Sequence, residues 1–222
     1  MVKAVIFDFD GVISDSEILH FRAFNKILAQ FGFQIEKPDY YLKYLGLTDK
    51  DCYKTLIKQG HLPVTEENVP ELVAQKKVVY QKLAESDGHI IDGVLPFIDL
   101  LNHHGIIKAI CSGALEAEIR YTLSHAKLED EFITVVAADH VMVGKPDPQG
   151  YCLTLTQLQE LDCTLTTGQC IVIEDSHWGL AAAQAAGMKT IAVTNSYPAE
   201  QLGMADKIVA NLDQITADDL EL

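Results

Sequence analysis

Short apolar runs rich in β-branched residues alternate along this chain with segments of helical periodicity. The runs occupy residues 2–7, 106–111, 132–137, 170–173 and 190–193, with a weaker one at 207–210. The helical patterns between them cover residues 94–104, 115–126, 151–161 and 178–186. Continuous apolar runs of this length are typical of strands buried on both faces of a parallel sheet. The alternation therefore predicts an α/β fold, a Rossmann-like open sheet with helices on its faces.

The alternation is interrupted directly after the first predicted strand. Apolar residues recur at helical spacing over residues 19–31, and Gly32 follows as a stop signal. Further helical patterns cover residues 38–45, 50–59 and 67–85. We therefore predict a core domain formed by residues 1–15 and 91–222, interrupted by an all-helical insertion at 16–90. The insertion leaves from the carboxyl edge of the sheet, where ligands bind in such folds, so it can serve as a lid.

Charge and composition narrow the classes of partner. The chain has 222 residues, with 32 Asp and Glu against 17 Lys and Arg, and a net charge of −15. This balance argues against nucleic acid or an anionic membrane surface as a partner. The sequence has no run of the roughly 18 apolar residues that a membrane span needs. The first apolar stretch leads into carboxylates instead of a cleavage site, so it is not typical of a signal peptide. The five cysteines are odd in number and lack a CxxC pair, so we expect reduced thiols and a cytoplasmic protein.

Two aspartates follow the first predicted strand in the sequence DFDGV. Asp8 and Asp10, two residues apart on a loop, can point to the same side. One can act as a nucleophile or metal ligand while the other acts as an acid and base. The alternative is a solvated turn, since Asp and Gly are common where strands end.

Three more polar segments lie at or just beyond predicted strand ends. Ser112 and Gly113 can cradle a phosphate with a hydroxyl and backbone N–H groups, unless Ser112 is only a helix N-cap. Lys145, in GKPDP, can neutralise a phosphate, unless it is a surface lysine. Glu174 and Asp175 offer with Asp8 the hard oxygen ligands that Mg²⁺ prefers, unless they only begin a helix. Because all four segments fall at one edge of the predicted sheet, a shared site is favoured over four separate coincidences.

Together DFDGVISDSE, CSG, GKPDP and VIEDS resemble the four motifs of the haloacid dehalogenase superfamily. The helical insertion resembles its type 1 cap, and the likeness spans essentially the whole chain. By pattern the chain is similar to β-phosphoglucomutases and to phosphoglycolate and sugar-phosphate phosphatases of that superfamily. The resemblance implies a magnesium-dependent enzyme that acts on a small phosphorylated metabolite, with specificity residing in the cap.

The resemblance also implies a role for each motif residue. Asp8 resembles the nucleophile that forms an aspartyl-phosphate, and Asp10 the acid that protonates the leaving oxygen and then activates water. Ser112, with Gly113, and Lys145 resemble the phosphate-holding residues. The residues that resemble the family's Mg²⁺ ligands are Asp8, Asp10 through its backbone carbonyl, and Asp175. Glu174 resembles a further ligand or an outer residue that supports the ligands. Gln149 departs from the pattern, which has Asp there to support the lysine, and Asp147 is a partial substitute.

The same patterns favour a phosphatase over a mutase. Dehalogenases lack an aspartate at the place of Asp10, so its presence favours phosphate esters. A mutase must also grip a second phosphate, and its cap carries basic residues where this chain has Leu45 and Asp49. An aspartate there would oppose binding, unless Lys43 or Lys50 compensates. We therefore expect a phosphatase. The alternatives are a β-phosphoglucomutase-type mutase and a catalytically silent binding protein. In each case we expect a monomer or a weak homodimer.

Substrate-selecting residues are expected in the helical insertion. The candidates are His20, Tyr44, Thr48 and Lys50. Each has a structural alternative: His20 can pack against Glu17, Tyr44 can belong to the helical core, and Thr48 can be an N-cap.

Overall fold

The computed structural model describes residues 1–44, 47–87 and 90–220. Its internal contacts divide the chain into two units, Met1–Asp15 with Ile90–Leu222, and Ser16–His89. We call them the core unit and the helical unit. Ile90 falls in the core unit, one residue from the predicted boundary, because it forms an antiparallel bridge with Ser14.

The core unit contains a six-stranded parallel sheet. Its strands are β1 (Ala4–Phe7), β2 (Ile107–Cys111), β3 (Thr134–Val136), β4 (Cys170–Glu174), β5 (Lys189–Val193) and β6 (Lys207–Val209). The strand order is β3-β2-β1-β4-β5-β6, so β1 lies between β2 and β4. After β1 the chain first adds β2 and β3 on one side of it, and then adds β4, β5 and β6 on the other side. The carboxyl ends of the strands beside such a switch point form the usual ligand-binding crevice.

Eight α-helices form among the described residues. They are α1 (Ser16–Leu28), α2 (Lys37–Lys43), α3 (Asp49–Lys58), α4 (Val69–Asp87), α5 (Val94–His103), α6 (Glu116–Ala126), α7 (Gln149–Gln159) and α8 (His177–Ala185). Each predicted strand and each predicted core helix is confirmed, with ends within two residues of the prediction. The end of the predicted helix 38–45 reaches Leu45, which lies outside the described residues. None of the helices described is long and apolar enough to span a membrane.

The side chains of the buried strands point alternately to two hydrophobic layers. Val5 and Phe7 of β1 join a cluster that includes residues of α5 and α6. Ala4 and Ile6 join a second cluster, which includes Tyr151 of α7 and residues of α8. Both faces of the sheet are therefore covered, which is why the strands read as continuous apolar runs.

The helical unit has a hydrophobic core of its own, to which α1, α2, α3 and α4 all contribute. Phe24 of α1 and Tyr53 of α3 are almost fully buried there. The aromatic rings of these two residues pack with their centroids 5.1 Å apart.

Candidate active site

Three neighbouring strand ends bring the predicted carboxylates and hydroxyl together. Asp8 follows β1, Ser112 follows β2, and β4 ends at Glu174, with Asp175 next. Register fixes their alignment, since Phe7 pairs with Ile110 on one side and with Ile173 on the other. The backbone N–H of Asp8 continues the ladder by donating to the carbonyl of Ile173 at 2.9 Å.

Lys145 reaches this edge from the loop that precedes α7. Its Nζ donates to Asp8 Oδ1 at 2.5 Å, to Glu174 Oε1 at 2.6 Å and to the carbonyl of Cys111 at 3.0 Å. These three bonds use all the donors of an ammonium group. Burial alone would lower the pKa of Lys145, but the carboxylates of Asp8 and Glu174 raise it well above its usual value. Lys145 is therefore a largely buried cation of the site, with its side chain 16% exposed, and not a surface lysine.

Glu174 is fully buried, and both of its carboxylate oxygens have partners. Oε1 also accepts from the Tyr151 hydroxyl at 2.9 Å. Oε2 accepts from the N–H groups of Asp175 and Ser176, each at 3.1 Å, and from the Ser176 hydroxyl at 3.0 Å. Ser176 is also the N-cap of α8, so capping and site assembly involve the same residues. The contacts fix Glu174 as an anchor for Lys145.

Three buried carboxylates share the single positive charge of Lys145. Oxygen atoms of Asp8, Glu174 and Asp175 all lie within 4.8 Å of one another. Burial raises the pKa of Asp8 to about 7; Glu174 and Asp10 add to the rise, and Lys145 opposes it. Burial and the charges of Asp8 and Glu174 raise the pKa of Asp175 well above its usual value. Such an excess of buried carboxylate oxygens fits a divalent cation such as Mg²⁺.

The DFDGV segment is a packed turn and not a solvated one. Phe9 and Val12 in it are almost fully buried, whereas Asp10 is half-buried. Gly11 has φ +78°, and its N–H donates to the carbonyl of Ser14 at 2.8 Å. A Cβ on Gly11 would lie 1.8 Å from Asp175 Oδ2, so only glycine fits against this carboxylate.

Ser112 and Gly113 line a cavity of about 190 Å³ together with Lys145. The Ser112 hydroxyl accepts from the N–H of Ala114 at 3.0 Å. The N-cap of α6 is Leu115, so the alternative that Ser112 caps this helix is wrong.

The loop that carries Lys145 is held by Gln149 and Asp147. Gln149 Oε1 accepts from the N–H groups of Met142 and Val143, each at 2.9 Å. Asp147 Oδ1 accepts from the N–H of Gln149, also at 2.9 Å. The support of Lys145 itself comes from Asp8 and Glu174, so Gln149 shapes the loop instead of holding the ammonium.

The candidates in the helical unit occupy different surroundings. His20 stacks on Tyr80 with ring centroids 4.3 Å apart. Tyr44 is buried in the helical core, as the alternative predicts, and its hydroxyl donates to Gln59 at 3.2 Å. Thr48 is the N-cap of α3, and Lys50 is exposed. Their contacts with a substrate stay predictions.

A buried cation in the helical unit is missing from the sequence analysis. Lys76 of α4 is 1 % exposed, and its Nζ lies 2.6 Å from Asp49 Oδ1 and 2.5 Å from His20 Nδ1. Because an ammonium only donates, His20 is neutral with Nδ1 as acceptor. Burial and Lys76 lower the pKa of His20 to about 4. The sequence gives no local signal for this contact, because Lys76 sits in an ordinary helical pattern.

Three residues of the core site were also missed: Tyr151, Asn195 and Ser196. Asn195 and Ser196 follow β5 after one residue, at the same sheet edge as Asp8 and Asp175. The rule that located the other motifs could have found this pair. Tyr151 carries no such signal, because it lies within the helical pattern of α7.

The sequence and the fold are similar to those of known proteins. The profile of the haloacid dehalogenase-like hydrolase family matches residues 5–193. A phosphorylated carbohydrates phosphatase from Thermotoga maritima is 29% identical over 194 residues, which cover 86% of this chain and 84% of the relative. The β-phosphoglucomutase of Bacillus subtilis is 28% identical over 97% of this chain and 92% of its own. A solved structure described as a putative β-phosphoglucomutase from Thermotoga maritima superposes with a TM-score of 0.76 at 27% identity, covering 96% of each chain.

The parallel sheet, the acidic strand ends and the profile match define one class of enzyme. The chain belongs to the haloacid dehalogenase-like hydrolase family.

Proposed function

We propose that this enzyme is a Mg²⁺-dependent phosphatase that hydrolyses a small phosphorylated sugar. The observation that carries the proposal is the contact between Lys145 and Asp8 at 2.5 Å within an excess of buried carboxylates. An ammonium beside a carboxylate nucleophile is what attack on a negatively charged phosphate needs, because phosphoryl transfer depends mainly on positioning and charge stabilisation. The phosphatase from Thermotoga maritima, named for phosphorylated carbohydrates, supports the substrate class.

In this mechanism Asp8 attacks the phosphorus atom of the substrate. Asp10 donates a proton to the ester oxygen as the bond from that oxygen to phosphorus breaks, and an aspartyl-phosphate forms on Asp8. Asp10, now a carboxylate, takes a proton from a water that attacks the phosphorus. The bond to the Asp8 oxygen then breaks, and inorganic phosphate leaves.

The remaining core residues hold the phosphate and the metal. Ser112, with the backbone of Gly113, would bind the phosphate oxygens, and Lys145 would turn one of its three N–H groups from a present partner to the phosphate. Asp8, Asp175 and the backbone carbonyl of Asp10 would hold Mg²⁺, with Glu174 as an outer residue because its oxygens are occupied. Bound Mg²⁺ would neutralise charge on Asp8 and on the phosphate, so that the carboxylate stays ionised despite its raised pKa.

Charge pairing within the helical unit favours hydrolysis over mutase chemistry. Lys76 is paired with Asp49 at 2.6 Å, and Lys43 with Asp39 at 3.0 Å. Neither cation is therefore left uncompensated for a second phosphate. A mutase is the second candidate, because the Bacillus subtilis relative covers nearly the whole chain.

Turnover of phosphorylated metabolites with Mg²⁺ or with EDTA tests the proposal. The panel includes sugar phosphates, phosphoglycolate, and β-glucose 1-phosphate with a trace of the 1,6-bisphosphate. We expect Mg²⁺-dependent release of phosphate from a sugar phosphate and none from the Asp8→Asn variant. Glucose 6-phosphate formed without phosphate release would instead establish a mutase, and no turnover of any compound would contradict both.

A further inference from the structure

The segment that follows β5 contacts two parts of the site that the four motifs do not connect. The Ser196 hydroxyl donates a hydrogen bond to Asp175 Oδ2. The side-chain amide of Asn195 donates to the backbone carbonyl of Gly11 at 2.7 Å. These two adjacent residues thereby link the end of β4 to the turn that follows β1.

The Ser196 contact sets the orientation of the Asp175 carboxylate. Asp175 is 4 % exposed, and its Oδ2 lies against the Cα of Gly11, where a Cβ would come within 1.8 Å. The same Cβ would lie 2.9 Å from Ser196 Oγ. Gly11 and Ser196 therefore confine Oδ2 from two sides, and the other oxygen is the one left to bind a cation.

The Asn195 contact acts on the turn that contains Asp10. The N–H of Gly11 donates to Ser14 and its carbonyl accepts from Asn195, so the Gly11 backbone is held on both sides. The carbonyl of Asp10 shares a rigid peptide plane with the N–H of Gly11, so the Ser14 contact fixes its direction. Asn195 holds the adjoining peptide plane, that of the Gly11 carbonyl, and supports the Asp10 carbonyl through Gly11.

We propose that Asn195 and Ser196 are positioning residues for the Mg²⁺ site, holding the Asp10 carbonyl and the Asp175 carboxylate in the arrangement that binds the ion. This inference rests on the proposed function, because it assumes that Asp175 and Asp10 bind Mg²⁺. Residues that orient metal ligands by hydrogen bonding change metal affinity without contacting the ion.

Isothermal titration of Mg²⁺ into the metal-free full chain, with no phosphate ester present, tests the proposal. We expect Ser196→Ala to weaken Mg²⁺ binding by about tenfold or more, and Ser196→Thr, which keeps the hydroxyl, to restore it. Thr216→Val is the matched control, because the Thr216 hydroxyl donates to Asp219 at 2.9 Å, in a hydroxyl–carboxylate pair that the site does not include. It should bind Mg²⁺ like the unsubstituted protein.

Asn195→Ala provides an independent variant if Ser196→Ala fails to fold. The Asn195 side chain is exposed, so its removal leaves no internal cavity. It should weaken Mg²⁺ binding while the thermal midpoint of the metal-free protein stays unchanged. A merely structural role would lower that midpoint and leave the affinity as it is.

The outcomes separate the two proposals. If the unsubstituted protein binds Mg²⁺ and hydrolyses phosphate esters, but the Ser196 and Asn195 variants bind Mg²⁺ equally well, only the positioning role is overturned. If the unsubstituted protein neither binds Mg²⁺ nor hydrolyses a phosphate ester, the proposed function fails and the positioning role fails with it.

Discussion

Lys145 shows how one largely buried residue serves both stability and chemistry. Its side chain is 16% exposed, and that of its partner Glu174 is fully buried. The sequence could predict the lysine, because GKPDP is a recognisable loop. It could not predict that Glu174 anchors it, because that contact joins residues 29 positions apart. Removing the ammonium would leave three carboxylates close together without a counter-charge, which is the costly way to break a buried ion pair.

Lys145→Met should therefore destabilise the metal-free protein by about 3 kcal/mol. The control is Lys207→Met, because Lys207 forms an ion pair with Asp219 and its side chain is 38% exposed. Breaking this pair should cost less than about 1 kcal/mol. Urea unfolding of both variants in EDTA measures the difference. Equal losses would mean that the pair of Lys145 with Asp8 and Glu174 contributes no more than a surface contact.

His20 makes the stability of the helical unit sensitive to acid. Its pKa in the folded state is about 4, below the ordinary value of 6.5, because of burial and Lys76. The unfolded chain therefore takes up this proton first as the pH falls. The contribution of neutral His20 to the free energy of unfolding is fully present above pH 6.5, and it is lost as the pH falls toward 4.

His20→Asn, which cannot titrate, should flatten this part of the pH profile. The stability lost between pH 6.5 and 4 should be smaller in the variant by up to about 3 kcal/mol. Urea unfolding at several pH values, with the two profiles subtracted, isolates the effect from carboxylates common to both proteins. Parallel profiles would contradict the neutral state of His20 beside Lys76.

At the scale of elements, the junction of β4 and α8 combines the end of a strand, the start of a helix and part of the candidate site. Glu174 ends the strand, and Ser176 caps the helix by accepting from the N–H of Gly179 at 3.1 Å. The sequence predicts the strand end and its acidic pair from the apolar run that precedes them. It gives no reason for a glycine at position 179. Glycine is required there because the Glu174 side chain passes over the first turn of α8.

Gly179→Ala should therefore destabilise the protein, although alanine favours a helix over glycine by about 1 kcal/mol. A Cβ there would lie 1.6 Å from Glu174 Oε1, so Glu174 must move and Lys145 loses its anchor. We expect a lower thermal midpoint and a lower kcat.

Gly105→Ala is the control for this substitution. Gly105 has φ +66°, but a Cβ there would have no neighbour within 4 Å. The variant should lose about 1 kcal/mol from backbone strain and keep its kcat. If Gly179→Ala behaved like Gly105→Ala, or were stabilised, the close packing of α8 on Glu174 would be contradicted.

At the scale of the whole molecule, periodicity predicts the parallel sheet and the helical insertion, because strands buried on both faces read differently from amphipathic helices. Strand order follows only from contacts between distant segments, and so do the Lys76–Asp49 pair and the link from Ser196 to Asp175. The motifs were found because parallel strands deliver their carboxyl ends to one edge. Residues whose role depends on side-chain packing had no comparable rule.

In the proposed mechanism Asp8 receives the phosphoryl group. This step is tested most directly by treating the Asp10→Asn variant with Mg²⁺ and acetyl phosphate, whose leaving group needs no protonation. Without Asp10 to activate water, the aspartyl-phosphate should accumulate, and borohydride should reduce it to homoserine. We predict homoserine at position 8 by peptide mass spectrometry, and none when EDTA replaces Mg²⁺ or when Asp8→Asn is added. Homoserine at another aspartate, or at none while phosphate is still released, would contradict the account.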